Sequence, residues 1–141
     1  MIRPLAFAAA TLLGAAPALV QEPPLQGLRI ELNAASESTG GDCTLSFIIE
    51  NRLPSDIDSA VFETVLFDAS GQVDRLTLFD FGTLPQGRPR VRQFSMPGTS
   101  CDGIGRILFN GANTCESADA GPDACDAGLE LATRTEIEVI G

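Results

Sequence analysis

Ala60-Val61-Phe62-Glu63-Thr64-Val65-Leu66-Phe67-Asp68-Ala69-Ser70-Gly71-Gln72-Val73-Asp74-Arg75-Leu76-Thr77-Leu78-Phe79-Asp80-Phe81 reads as two β-forming runs joined by a small turn. β-Branched and aromatic residues dominate both arms and Ala69-Ser70-Gly71 joins them, so the segment is expected to fold as a hairpin. In the first arm Val61, Val65 and Phe67 fall on one side, with Phe62 and Leu66 on the other. Apolar residues on both faces call for a strand near the middle of a packed sheet, or one whose outer face is covered.

The same period-2 pattern recurs on either side of the hairpin. After a Pro-containing lead-in at Gln21 to Gln26, Leu28 to Leu32 forms a first strand. Cys43, Leu45, Phe47 and Ile49 share one face of the next, opposite Thr44, Ser46 and Glu50, and Pro54 in the Asn51 to Asp58 loop argues against extending it. Pro85-Gln86-Gly87 supplies a turn before two shorter strands, Arg90 to Met96 and Gly105 to Phe109. From Leu129 to Ile140 the alternation is clean: Leu129, Leu131, Ile137 and Val139 oppose Glu130, Arg134, Glu136 and Glu138. A helix has room only at about 115–124, where Gly121-Pro122 would break it. Seven strands result, at 28–35, 43–50, 60–68, 73–81, 89–96, 105–110 and 129–140, and they fit an all-β antiparallel sandwich of two sheets.

Upstream, Met1-Ile2-Arg3-Pro4 precedes an apolar run from Leu5 to Val20, with small residues at Ala16 and Ala18. A positive start, an apolar core and small residues before the cut are the parts of a secretory signal peptide, expected to span 1–18. Residues 19–27 then form a lead-in to a single domain at 28–141. The stretch is short for a bilayer span, so no stable membrane insertion is expected after cleavage, and the mature chain is expected to be soluble in the periplasm or outside the cell.

All nine basic residues are arginines, set against 19 acids for a net charge of −10. Such a surface repels phosphate backbones, which argues against nucleic-acid binding. The chain has no histidine, so the commonest general base is missing, and its serines lie in no nucleophile-elbow motif. No pair of carboxylates is marked as proton donor and base, and no cofactor motif is present, so a non-catalytic protein is expected.

Four cysteines, Cys43, Cys101, Cys115 and Cys125, suit an oxidising compartment. They form no CxxC pair and match no common zinc spacing. If successive strands run antiparallel, Cys43 at the start of the second strand and Cys101 just before the sixth lie at one end of the sandwich. Cys115 and Cys125 lie in the long loop at the other end. Of the three connectivities, Cys43–Cys101 with Cys115–Cys125 is favoured, because bridged Cα atoms must come within roughly 7 Å.

Two features suggest a binding surface. Arg88, Arg90 and Arg92 fall within five residues, and Arg90, Arg92 and Phe94 share a face if this segment is a strand. Guanidinium groups bind carboxylates bidentately, and Phe94 would add an apolar anchor, making this strand the expected interaction surface for a protein partner in the cell envelope. The 111–128 loop carries Glu116, Asp119 and Asp123, with Asp126 beyond Cys125, which gives a ligand- or calcium-binding alternative. A purely structural envelope protein is the third reading, and no oligomeric state is fixed.

Val65-Leu66-Phe67-Asp68-Ala69-Ser70-Gly71-Gln72-Val73, followed by Leu84-Pro85-Gln86-Gly87 and Phe94, is similar to the strand–turn–strand and proline–glycine turn pattern of FxLYD-like bacterial immunoglobulin-like domains. Over residues 27–141 the chain also resembles a group of small, uncharacterised exported proteins from alphaproteobacteria. The domain resemblance implies an extracytoplasmic immunoglobulin-like sandwich used as an accessory or binding module, with no catalytic set. The chain departs from the pattern in carrying Phe67 where tyrosine is expected and in its added cysteines.

Overall fold

A computed structural model describes residues 14–20 and 26–141. The proposed signal peptide and the lead-in therefore fall largely outside the described residues. Among those described, no helix is long and apolar enough to cross a membrane.

The hairpin forms as expected, with arms β3 (Ile57–Phe67) and β4 (Val73–Leu84). Its turn is held by the Asp68 side chain: Oδ1 accepts from the Ser70 amide at 2.9 Å, the Ser70 hydroxyl at 2.7 Å and the Gln72 amide at 3.0 Å. Gly71 takes φ of 89°, a left-handed conformation that side-chain-bearing residues resist. The remaining strands are β1 (Leu28–Glu37), β2 (Cys43–Asn51), β5 (Arg90–Met96), β6 (Arg106–Glu116), β7 (Glu130–Thr133) and β8 (Glu138–Ile140). They build two four-stranded sheets, ordered β5-β2-β1-β7 and β4-β3-β6-β8.

The all-β sandwich is as expected, but the seven-stranded antiparallel arrangement is not. Among the described residues there are eight strands, and both sheets are mixed, because β7 pairs parallel to β1 and β8 pairs parallel to β6. The single strand expected at 129–140 is an arch: β7 runs in one sheet, the chain crosses at Arg134 to Ile137, and β8 returns in the other, leaving Gly141 beside Leu131. Local bonds replace ladder bonds at the crossing. The Thr133 hydroxyl accepts from the Thr135 amide at 3.0 Å and the Thr135 hydroxyl from the Ile137 amide at 3.1 Å. Leu131, Ile137 and Val139 still pack on the core, so the alternation pattern is satisfied by either path.

The sixth strand also runs further than expected, to Glu116, so Cys115 lies within β6 rather than in the loop. Register shifts opposite Val61–Phe62 and Glu63–Thr64 leave Asn113 and Asn110 unpaired on either side of Gly111, whose φ is 140°, and the ladder continues past them. No helix forms at 115–124, and the described helical structure is a 3-10 turn at Cys101–Gly103.

Between the sheets lies a phenylalanine core. Phe47, Phe62, Phe79 and Phe81 are fully buried, and Phe47 contacts Phe79, Phe81, Phe94 and Phe109 with ring centroids 5.5–6.1 Å apart. Such edge and tilted contacts suit the ring quadrupole. Both bridges take the favoured connectivity: Cys43–Cys101 at a Cα separation of 4.8 Å, and Cys115–Cys125 at 5.9 Å. Asn51, a buried polar residue, holds the β2–β3 loop. Its amide donates to the carbonyls of Ser55 at 2.9 Å and Leu84 at 2.7 Å, and its Oδ1 accepts from the Leu53 amide.

Candidate interaction surface

The β5 register settles where the arginine cluster points. Ile49 pairs with Arg90, Phe47 with Arg92 and Leu45 with Phe94, so these three β5 residues share the face that β2 turns to the core. Phe94 stacks on Phe79 at 4.4 Å and an interplanar angle of 15°. Arg92 reaches across the flank between the sheets, its Nε donating to the Phe81 carbonyl at 2.8 Å and Nη2 to the Thr83 carbonyl at 3.1 Å. A second arginine reaches the other way: Arg75 of β4 donates to the Pro97 carbonyl at 3.0 Å and the Thr99 hydroxyl at 2.7 Å.

Arg92 thus latches β5 to the edge strand β4, and Arg75 ties β4 to the turn that follows β5. Arg92 occupies carbonyls that an added strand would need, and inward-pointing charge on edge strands discourages pairing with another chain. Arg90 donates to the Pro89 carbonyl, and Arg88 is exposed on the preceding turn.

The acids of the 111–128 loop do not converge. Asp126 accepts from the Ala112 amide at 3.0 Å, and Ser117 ties the loop to the Asp56 carbonyl. Among the described residues, no group of three or more acidic or cysteine side chains is placed to hold a metal ion.

The outer faces of the two sheets differ in kind. On β5-β2-β1-β7, Arg29 pairs with Glu31 at 2.9 Å and Glu130 at 3.3 Å, while Arg52 pairs with Glu50 and Glu130 at 2.9 Å each. Hydrogen bonding to Glu31 and, with smaller effect, Glu130 raises the Arg29 pKa. Glu31 is held below the usual carboxylate range, first by a hydrogen bond from Asn33 and then by Arg29.

On β4-β3-β6-β8 an apolar row crosses the outer face, with charged residues such as Glu63, Arg106 and Glu138 in the rows beside it. Leu76 pairs with Val65, Val65 with Leu108, and Leu108 with Ile140, which draws one row across all four strands. Leu78 flanks this row on one side, and Val73 and Phe67, a register pair, flank it on the other. Leu76, Leu78 and Val73 are 63%, 53% and 58% exposed. Arg106 sits 5.9 Å over the Phe67 ring and pairs with Glu138 at 2.6 Å.

The two-faced apolar pattern of β3 announced this surface, since an outer face rich in valine and phenylalanine needs a cover. No described element supplies one. The partnering residues on β4, Leu76 and Leu78, carry the same signal by alternating with the buried Phe79 and Phe81. Searches against protein-family models, curated proteins and solved structures found no match.

Proposed function

We propose that the protein is a non-catalytic interaction module of the cell envelope, exported and soluble once its leader is removed, which docks a protein partner on the outer face of the β4-β3-β6-β8 sheet. One observation carries this reading. A contiguous apolar row spans the sheet, with Leu76 at its end and Leu78 beside it open to solvent. Contiguous exposed apolar patches mark interaction surfaces, whereas single exposed residues do not. Both bridges and the absence of free cysteines among the described residues support an oxidising compartment.

An immunoglobulin-like relationship belongs to the same proposal. It is supported by β5-β2-β1 packing opposite β4-β3-β6, the neighbour pattern of such sandwiches, with the terminal arch as a departure. Because Arg92 and Phe94 are engaged within the sandwich, the weight of the interaction reading moves from β5 to this face.

Replacing both leucines, Leu76→Ser with Leu78→Ser, is expected to leave the domain folded and to abolish recovery of a partner after crosslinking in cells. Val91→Ser, on the opposite face, serves as the control. An unchanged set of crosslinked partners in the double variant would contradict the proposal.

A further inference from the structure

The chemistry of the docking partner follows from the charges set into the apolar face, and this step rests on the reading of that face as a docking surface. Glu63 pairs with Leu78 in register and projects among the apolar side chains one strand in from the edge. Asn110 donates to its Oε1 at 2.7 Å, which fixes the carboxylate and leaves Oε2 for an incoming donor. Asp80 lies in the next row on β4, opposite Val61, and is exposed. Neither acid takes part in an ion pair among the described residues.

A partner that covers Leu76 and Leu78 must also take Glu63 out of water. Burying a carboxylate is costly unless a cation or further hydrogen bonds meet it. A second copy brings another Glu63 and another net charge of −10. Its arginine on this face, Arg106, is already held by its own Glu138. An anionic bilayer is repelled on the same grounds.

We infer that the face receives a cationic partner, a protein segment in which apolar side chains alternate with lysine or arginine, one cation meeting Glu63 while the apolar residues cover Leu76 and Leu78. The latched β4 edge makes this a contact across the face of the sheet rather than the addition of a strand to it.

The test titrates the oxidised, isotope-labelled protein with an alternating Leu–Lys peptide and its Leu–Glu counterpart, read by amide chemical shifts. The Leu–Lys peptide is expected to shift Glu63, Leu76, Leu78 and their neighbours, and the Leu–Glu peptide to shift nothing. Glu63→Gln is expected to weaken Leu–Lys binding about threefold to fivefold at low salt, as one partly exposed ion pair allows, and added salt should reduce the difference.

Shifts confined to the 116–126 loop, or equal affinity in Glu63→Gln, would overturn the cationic partner. Concentration-dependent dimerisation lost in the Leu76→Ser, Leu78→Ser variant would also overturn it while sparing the docking face, as would binding to phosphatidylglycerol vesicles through the same residues. Peptide binding unaffected by the two serine substitutions would overturn both readings together.

Discussion

The two outer faces of this sandwich are built on equivalent strands and treated in opposite ways. A row across the first sheet reads Val91, Ile48, Glu31 and Ala132, and the comparable row across the second reads Leu76, Val65, Leu108 and Ile140. In the first, an acid at the third strand anchors a network with Arg29, and the polar positions around it satisfy one another. In the second nothing interrupts the apolar row; of the carboxylates beside it, Glu138 is paired with Arg106 and Glu63 has one oxygen engaged by Asn110. One face satisfies its own charges, and the other leaves Leu76 and Leu78 open to water. The proposed docking on the second face rests on this contrast rather than on the arginine cluster.

Because both faces rest on one core, removing what joins the sheets should erase the contrast with the largest effect. Replacing Cys43 and Cys101 by alanine opens a loop with a separation of 58 residues and is expected to cost about 4 kcal/mol. The shorter Cys115–Cys125 loop, with a separation of 10, should cost about 3 kcal/mol. Denaturant unfolding of the two double variants measures the order, and a larger loss from the second pair would reverse this assignment of roles.

A smaller effect separates the edge from the face. Arg92→Ala frees the Phe81 and Thr83 carbonyls, which water can partly satisfy, so a loss of about 1 kcal/mol is expected. The exposed β4 edge should also make the variant associate at high concentration. Light scattering that matches the unmodified protein would argue that the latch protects nothing.

The charge-paired face should be the one that responds to acid. With the Glu31 pKa lowered in the folded protein, its contribution is complete above the ordinary unfolded value of about 4.3 and is lost as pH falls through the lower folded value. Asp68, held down mainly by the Ser70 hydroxyl, follows the same sign. Thermal melts should be flat between about pH 6 and 8, since the chain has no histidine and no free cysteine is found among the described residues, and should fall below about pH 4. Glu31→Gln should flatten part of that fall, by less than about 1 kcal/mol. The smallest effect belongs to the open face, where Leu76→Ser and Leu78→Ser should each change stability by no more than about 0.5 kcal/mol.

Much of this was legible in the sequence because side-chain parity is a strong signal. The hairpin, the buried Cys43-Leu45-Phe47-Ile49 face and the disulfide pairing all follow from period-2 alternation and turn placement. The arch at 134–137 was not legible, because Leu131 and Ile137 face the core whether the chain runs straight or crosses between sheets. The strand expected at 105–110 runs on to Glu116, because register shifts on either side of Gly111 let the ladder continue. For the candidate surface, the sequence put Arg90, Arg92 and Phe94 on one face correctly, but parity does not say which face is the core. The pairing of Phe47 with Arg92 does.

The most direct test places a photo-crosslinking residue at position 76 in one variant and at position 91 in another, and irradiates cells expressing each. These sites have similar exposure, 63% and 60%, on opposite outer faces. A discrete protein adduct from position 76 and none from position 91 is the expected result. An adduct from position 91 alone, or from neither position, would contradict the claim that the apolar outer face is where this protein binds.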